Sequence, residues 1–395
     1  MQKFRSAIIS IPLLCIGFFA LWLDNQVAAQ VKQDNTIISQ RATLSPRKHP
    51  ADGIESLLNP VRQKYGVPAL AASVVRSDGS IVSAATGVRV QGREVRVTDK
   101  DKFSIGSITK PMTATVIATF VEQGKLAWTT RPSDVFPEFK NAIHPTLKDI
   151  TLEQLLAHRA GIMAFEDDKD IAAAPEFNGN ATQQRLAFTN WLLQREAVVA
   201  PGSKKVYSNA GYAIAAAMAE RVSGQSFETL MRKRLFKPLG MKSAGFGWAA
   251  RKDSRQPWAH RASSDGFVPH NPNDSYQIGA RWMPAGDVHC NMKDLAKFAA
   301  FHLRALNGKN SILRAETVKK LHMPYGGAKS GYSLGWNVNS FGHSHLGGTG
   351  TFSAMLVLFP KENFAMAVAM NTGGGKDDEV QNKVIDALLE QYKPK

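Results

Sequence analysis

Phe103-Ser104-Ile105-Gly106-Ser107-Ile108-Thr109-Lys110-Pro111 is the stretch on which the reading of this 395-residue chain turns. From Pro111 the pattern is helical: Ala114, Ile117, Phe120 and Val121 fall on one stripe, and Gly124 ends it. Gly106 allows a close backbone approach, and Ser107 stands just before the helix or in its first turn. Lys110 follows three residues later, and positions i and i+3 of a helical turn share a face, so the two side chains can meet. A serine hydroxyl is a poor nucleophile until something takes its proton. A free lysine, with a pKa of about 10.4, is almost never neutral at pH 7. Burial and a positive field, such as a helix N-terminus supplies, lower that value. As a bare pattern Ser-x-x-Lys arises often by chance, and its plain alternative is a helix start with an exposed lysine.

Working outward, Leu70–Val75 and Ile81–Ala85 flank the turn signal Asp78-Gly79 and read as a β-hairpin. Helices are expected from Leu152 to near Gly161, from Gly211 to Val222, from Phe227 to Leu235 and from Lys293 to Leu306. Tyr332–Val338, Thr351–Phe359 and Phe364–Met370 read as strands, and Asp377–Tyr392 as a last helix with Val380, Val384, Ile385, Leu388 and Leu389 on one face. Short connections between the late strands imply antiparallel pairing. The expected fold is α+β: one antiparallel sheet built from both ends of the chain (about residues 51–106 and 310–395), with a mostly helical insertion (about 107–309).

The N-terminus reads as an address. Lys3 and Arg5 precede an apolar run, Ala7 to Leu23, followed by Val27-Ala28-Ala29, the pattern of a secretory signal peptide cut after Ala29. The alternative is an uncleaved membrane anchor, although 17 residues is short for a span. Residues 30–50 read as a flexible lead-in to a single domain, 51–395. An exported protein, periplasmic or secreted, is expected. Once that leader is removed Cys290 is the only cysteine, which excludes an internal disulfide and a cysteine zinc site; it reads as a small buried side chain. The formal net charge of +16 allows an anionic partner, but no nucleic-acid module is present and the basic residues are spread along the chain.

Two further segments give the serine its context. Tyr207-Ser208-Asn209 follows Pro201-Gly202, and His345-Leu346-Gly347-Gly348 lies among the late strands. Each has an ordinary reading: Tyr207 as a core tyrosine, Asn209 as a helix cap, His343 and His345 as a metal pair for which no third ligand is evident. Asn371-Thr372-Gly373-Gly374-Gly375-Lys376 is no phosphate loop, because the first glycine is missing and Asp377 replaces the hydroxyl residue.

In order and spacing the three segments resemble those of the serine β-lactamase and penicillin-recognising hydrolases: Ser-x-x-Lys, Tyr-x-Asn and a strand motif of the Lys/His-x-Gly type. Leu155-Leu156-Ala157-His158-Arg159-Ala160-Gly161, Pro238-Leu239-Gly240-Met241 and Pro284-Ala285-Gly286-Asp287 support the resemblance, which runs from about Gly66 to Asn371. It implies a β-lactamase/transpeptidase-like fold. It also implies that Ser107 is acylated, that Lys110 and Tyr207 move protons, and that His345, in the third motif, is a catalytic residue that helps poise Tyr207. The N–H groups of Ser107 and Gly348 would form an oxyanion hole, and Asn209, Leu346 and Gly347 would contact substrate. No metal or organic cofactor is implied.

The third motif departs from the Lys-Thr-Gly of class C β-lactamases. Histidine is mostly neutral at pH 7, and Leu346 cannot donate the bond that threonine gives a substrate carboxylate. The expected substrate is therefore a small ester, amide or peptide, cell-wall derivatives included, with an apolar group in that subsite. A D-alanyl-D-alanine carboxypeptidase or class C-like β-lactamase is the alternative within the family. A non-catalytic cell-wall-binding homologue is the alternative from another class.

Overall fold

A computed structural model describes residues 53–166, 168–274 and 279–394; the expected leader (1–29) and the whole of the lead-in (30–50) lie outside the described residues. Strands β1 (Ala69–Arg76), β2 (Ile81–Gly87), β3 (Gly331–Tyr332), β4 (Asn337–Val338), β5 (His343–Gly348), β6 (Ser353–Phe359) and β7 (Phe364–Met370) form one sheet in the order β2-β1-β7-β6-β5-β4-β3. All its pairings are antiparallel. The N-terminal hairpin thus pairs with β7, the last strand of this sheet in chain order, Leu70 opposite Met370, so that both ends of the chain build the sheet.

The strands alternate, and that alternation divides the core. Leu70, Ala72 and Val74 of β1 join Met366, Val368 and Met370 of β7 on one face. There α1 (Ile54–Tyr65) and the C-terminal helix cover them with Leu58, Val384 and Leu388. Ala69, Ala71 and Val75 face the larger core, shared with α2 (Thr109–Glu122), α3 (Leu152–Leu156), α4 (Ala181–Leu193), α5 (Asn209–Ser223) and α6 (Met292–Leu306). The C-terminal helix is α7 (Asp377–Tyr392). Helix α5 is alanine-rich and buried from Ala210 to Glu220, so neighbours pack close around it. Gly211 is required there, because a Cβ would stand 2.8 Å from the Leu155 carbonyl oxygen.

Four differences from the sequence reading have local causes. Tyr332–Val338 is a tight hairpin and not one strand; Gly335 takes φ +96, and a Cβ on it would strike Pro111 Cα at 2.7 Å. The helix from Leu152 stops at Leu156, because His158 turns into the left-handed region at φ +57. Helices α1 and α4 were not expected; Pro60 lies inside the first, and the second is started by a capping box between Asn180 and Gln183. The middle region also carries short strands, in two three-stranded sheets that include Val288–Cys290 and Ala259–Ser263. Among the described residues no helix is long and apolar enough to cross a membrane.

Candidate active site

Ser107 lies in a 3-10 turn, Gly106–Ile108, that runs straight into α2. Gly106 takes φ +50, and a Cβ there would approach the Gly348 nitrogen to 2.6 Å. Across the gap, a Cβ on Gly347 would come within 1.9 Å of the Ile105 oxygen and 3.1 Å of the Ser107 nitrogen. The end of β5 therefore lies flush against the serine turn only because both residues are glycine. The segment 284–288 ties down the other side of the helix. Thr113 Oγ1 donates to the Pro284 oxygen (2.7 Å), and the Val288 N–H donates to Thr109 Oγ1 (3.1 Å).

Lys110 is completely buried. Its Nζ donates to Ser107 Oγ at 2.9 Å, Asn209 Oδ1 at 2.7 Å and the Ala285 carbonyl at 3.1 Å. All three acceptors are neutral. Burial pulls the amine down to about 7, and the field of the Glu166 carboxylate resists the shift. Nζ also stands 4.6 Å from the centre of the Tyr207 ring. Burial pushes the Tyr207 hydroxyl well above its usual value, while a hydrogen bond with Ser107 works against that rise. At neutral pH the pair therefore holds a partly deprotonated amine beside a fully protonated phenol. Lys110 is the member able to accept a proton from the Ser107 hydroxyl, which is only half-buried.

Asn209 is occupied on both sides: Oδ1 accepts from Lys110, and Nδ2 donates to the Phe165 carbonyl at 2.8 Å. It orients the lysine, and it is not the helix cap. That place belongs to Ser208, whose Oγ accepts from the Gly211 N–H. The loop that supplies the Phe165 oxygen is held by an unusual backbone, φ +52 at Phe165, and by the Phe165 ring packed on Phe188 and Trp282.

His345 is buried, but it meets Tyr332 where the sequence reading had it poising Tyr207. Its Nδ1 stands 2.6 Å from the Leu346 oxygen and must donate there, so Nε2 accepts from the Tyr332 hydroxyl at 3.0 Å. Burial first, and then the neighbouring Lys110, bring the imidazole down to about 3, so it is neutral at all ordinary pH. Tyr332 in turn packs edge-on to Tyr207, with ring centres 6.2 Å apart. Leu346 needs a correction. Strand alternation puts its side chain opposite Met355, among the apolar residues of the face covered by α1 and α7, whereas Gly347 faces Ile105. The apolar substrate subsite expected of Leu346 is not formed by that side chain.

His343 and His345 do not share a partner, since His343 Nδ1 meets His322 Nδ1 at 2.8 Å. Among the described residues no group of three or more histidines, cysteines or carboxylates is arranged to hold a metal ion. Cys290 is buried and unpaired among the described residues. The sequence reading passed over Tyr332, Tyr212 and His158. All three lie inside segments singled out for other reasons, and nothing local marks any of them as part of the site.

Comparison with known proteins agrees with this architecture. A model of the family described as Beta-lactamase matches residues 54–390. Penicillin-binding protein 4 of Amycolatopsis lactamdurans is 27% identical over 79% of this chain and 83% of its own length. Unguisins hydrolase ungD' of Aspergillus campestris is 26% identical over 78% of this chain, which spans 59% of that longer protein. Among solved structures, the octameric penicillin-binding protein homologue from Pyrococcus abyssi superposes with a TM-score of 0.68 at 24% identity, covering 86% of this chain and 78% of the other. The D-alanine carboxypeptidase AmpC from Burkholderia cenocepacia superposes with a TM-score of 0.64 at 19% identity, over 85% of this chain and 98% of the other. The structural likenesses speak for the β-lactamase/transpeptidase-like fold, and the matched span takes in most of the sequence: the chain belongs to the Beta-lactamase family of hydrolases.

Proposed function

We propose that the chain is an exported acyl-serine hydrolase that cleaves an ester or amide through an intermediate on Ser107. One observation carries the reading: a fully buried lysine amine, surrounded by neutral acceptors, stands 2.9 Å from the hydroxyl of a partly exposed serine. Neutral Lys110 takes the Oγ proton as Oγ bonds to the carbonyl carbon, and the carbonyl electrons move onto its oxygen. The N–H groups of Ser107 and Gly348 receive that oxyanion; one such donor is worth about 2.7–4 kcal/mol in a transition state. The oxyanion collapses and the leaving alcohol or amine departs with the proton that Lys110 took, relayed through the hydroxyl of Tyr207, which hydrogen-bonds Ser107; Lys110 is then neutral again. Water attacks the acyl-enzyme, Lys110 takes its proton, and that proton returns to Ser107 Oγ as the acid leaves.

The neutral His345 bears on the substrate class. A permanently charged residue there would attract a carboxylate, and a neutral imidazole already held by Tyr332 and Leu346 does not. Esters, amides and peptides without a required terminal carboxylate fit better than a strict carboxypeptidase substrate. Relatives named as a hydrolase and as a penicillin-binding protein are compatible with this range. Export is proposed on the pattern of residues 1–29 alone.

The test is covalent. The protein is incubated with a fluorophosphonate and with a labelled penicillin, digested, and mapped by mass spectrometry. An adduct on the peptide carrying Ser107 is expected with the fluorophosphonate, and its loss in Ser107→Ala. Well-folded protein that takes neither probe at Ser107 would sink the proposal.

A further inference from the structure

One residue outside this proton path touches the Tyr207 segment at three points. His158 accepts the Val206 N–H on its carbonyl oxygen (2.9 Å) and the Ser208 N–H on its ring Nδ1 (3.0 Å). Those two residues flank Tyr207. The imidazole itself packs against the Tyr207 ring, centre to centre 4.1 Å with the planes tilted by 36°. On its other side it meets the ring of Tyr332 at 4.5 Å, the tyrosine that holds His345.

The cost of this arrangement is visible in two places. His158 adopts φ +57, a conformation that residues with a side chain rarely take. Because Nδ1 accepts, the proton of this buried neutral imidazole is on Nε2, and Nε2 has no hydrogen-bond partner among the described residues. Buried donors are nearly always satisfied, and strain of both kinds gathers where geometry serves a function. A residue there for packing alone needs neither the left-handed backbone nor an unpartnered N–H.

We propose that His158 is a positioning residue: by holding the main chain on both sides of Tyr207 and packing its ring against the phenol, it sets where the Tyr207 hydroxyl stands relative to Ser107 and Lys110. This rests on the acyl-serine reading, and the experiment keeps the two apart.

The experiment compares wild type with His158→Asn and His158→Ala. Asparagine offers a side-chain oxygen for the Ser208 N–H and tolerates the left-handed backbone, but has no ring. Each protein is assayed for thermal stability, for the fraction of chains labelled at Ser107 by a fluorophosphonate, and for kcat and KM on a p-nitrophenyl ester per labelled chain. His158→Asn is expected to fold and label fully while kcat falls about 10- to 100-fold with KM little changed, the size of effect that misplacing a reacting group produces. His158→Ala is expected to lose both rate and stability. In a Tyr207→Phe background His158→Asn should change kcat by less than about twofold, since its effect runs through that hydroxyl.

Wild-type kcat per labelled chain in folded His158→Asn overturns the inference, and so does an undiminished effect in the Tyr207→Phe background. Unfolding of both single variants also overturns it, because the residue would then be structural. Wild-type protein that is not labelled at Ser107 refutes the acyl-serine reading itself, whatever the variants do.

Discussion

Two basic side chains, Lys110 and Arg185, are withdrawn completely from solvent, in regions that treat them differently. Arg185 projects from α4 into carboxylates. Its Nε and Nη2 donate to Glu220 at 3.1 and 2.6 Å, Nη2 reaches Glu228 at 3.1 Å, and Nη1 donates to the Ala280 oxygen at 2.9 Å. Burial alone would lower the guanidinium, but Glu220 and Glu228 outweigh it and raise it. Around Lys110 the hydrogen-bond acceptors are a hydroxyl, an amide oxygen and a peptide oxygen, and burial wins. Both residues are buried to the same degree, so depth does not separate a structural cation from a base. The charge of the acceptors does.

The contrast can be broken first at the lysine. In Lys110→Arg the positive group is kept, but a guanidinium cannot give up its proton. Turnover should fall by about 10²–10⁴-fold, the usual contribution of general-base catalysis. A Lys110→Arg enzyme within a fewfold of wild type would mean that charge, and not proton transfer, is what the site needs.

The opposite change at Arg185 should leave chemistry alone. Arg185→Ala strands Glu220, which also accepts from Thr182 Oγ1 and the Phe227 N–H, and removing one partner of a buried pair costs about 3–5 kcal/mol. Urea unfolding should register that loss, while kcat per labelled chain stays near wild type. A smaller pair of effects contrasts two adjacent glycines. Gly347→Ala drives a methyl into the Ile105 oxygen and should cost about 1–3 kcal/mol as overpacking, with slower labelling of Ser107. Gly348→Ala meets nothing within 4 Å and should be stable. Equal stability of the two variants would show that β5 does not press on the serine turn. Smallest of all, Glu166→Gln removes an upward pull on Lys110, so the inflection of the pH–rate profile should move down by a fraction of a pH unit.

What the sequence made legible follows the range over which each feature is set. Ser107 and Lys110 lie on one helical turn, so their meeting could be read from spacing, as could β1–β2, α2, α5, α6 and α7 from their periodicity. Contacts set by tertiary packing could not. The Tyr332–His345 bond depends on the β3–β4 hairpin, which a strand-like run of apolar residues concealed although Gly335 interrupts it. The direction of Leu346 depends on the register of β5 against β6, and one residue of slip would have turned it toward Ser107. The role of His158 depends on a backbone angle that no residue pattern around it announces. The resemblance implies a substrate contact for Asn209, and the commitment of its amide to Lys110 and Phe165 is again a matter of tertiary packing.

The most direct test of Lys110 as the base is the pH dependence of the rate at which a fluorophosphonate labels Ser107, followed by peptide mapping from about pH 5 to about pH 9. Below an amine pKa of about 7 Lys110 carries its proton and cannot accept another, and above it the neutral amine is in place. The labelling rate should therefore rise about tenfold per pH unit on the acid side, bend near 7 and level off above it. A rate that is flat across this range, or that is still rising at its alkaline end, would contradict a neutral Lys110 as the acceptor of the serine proton.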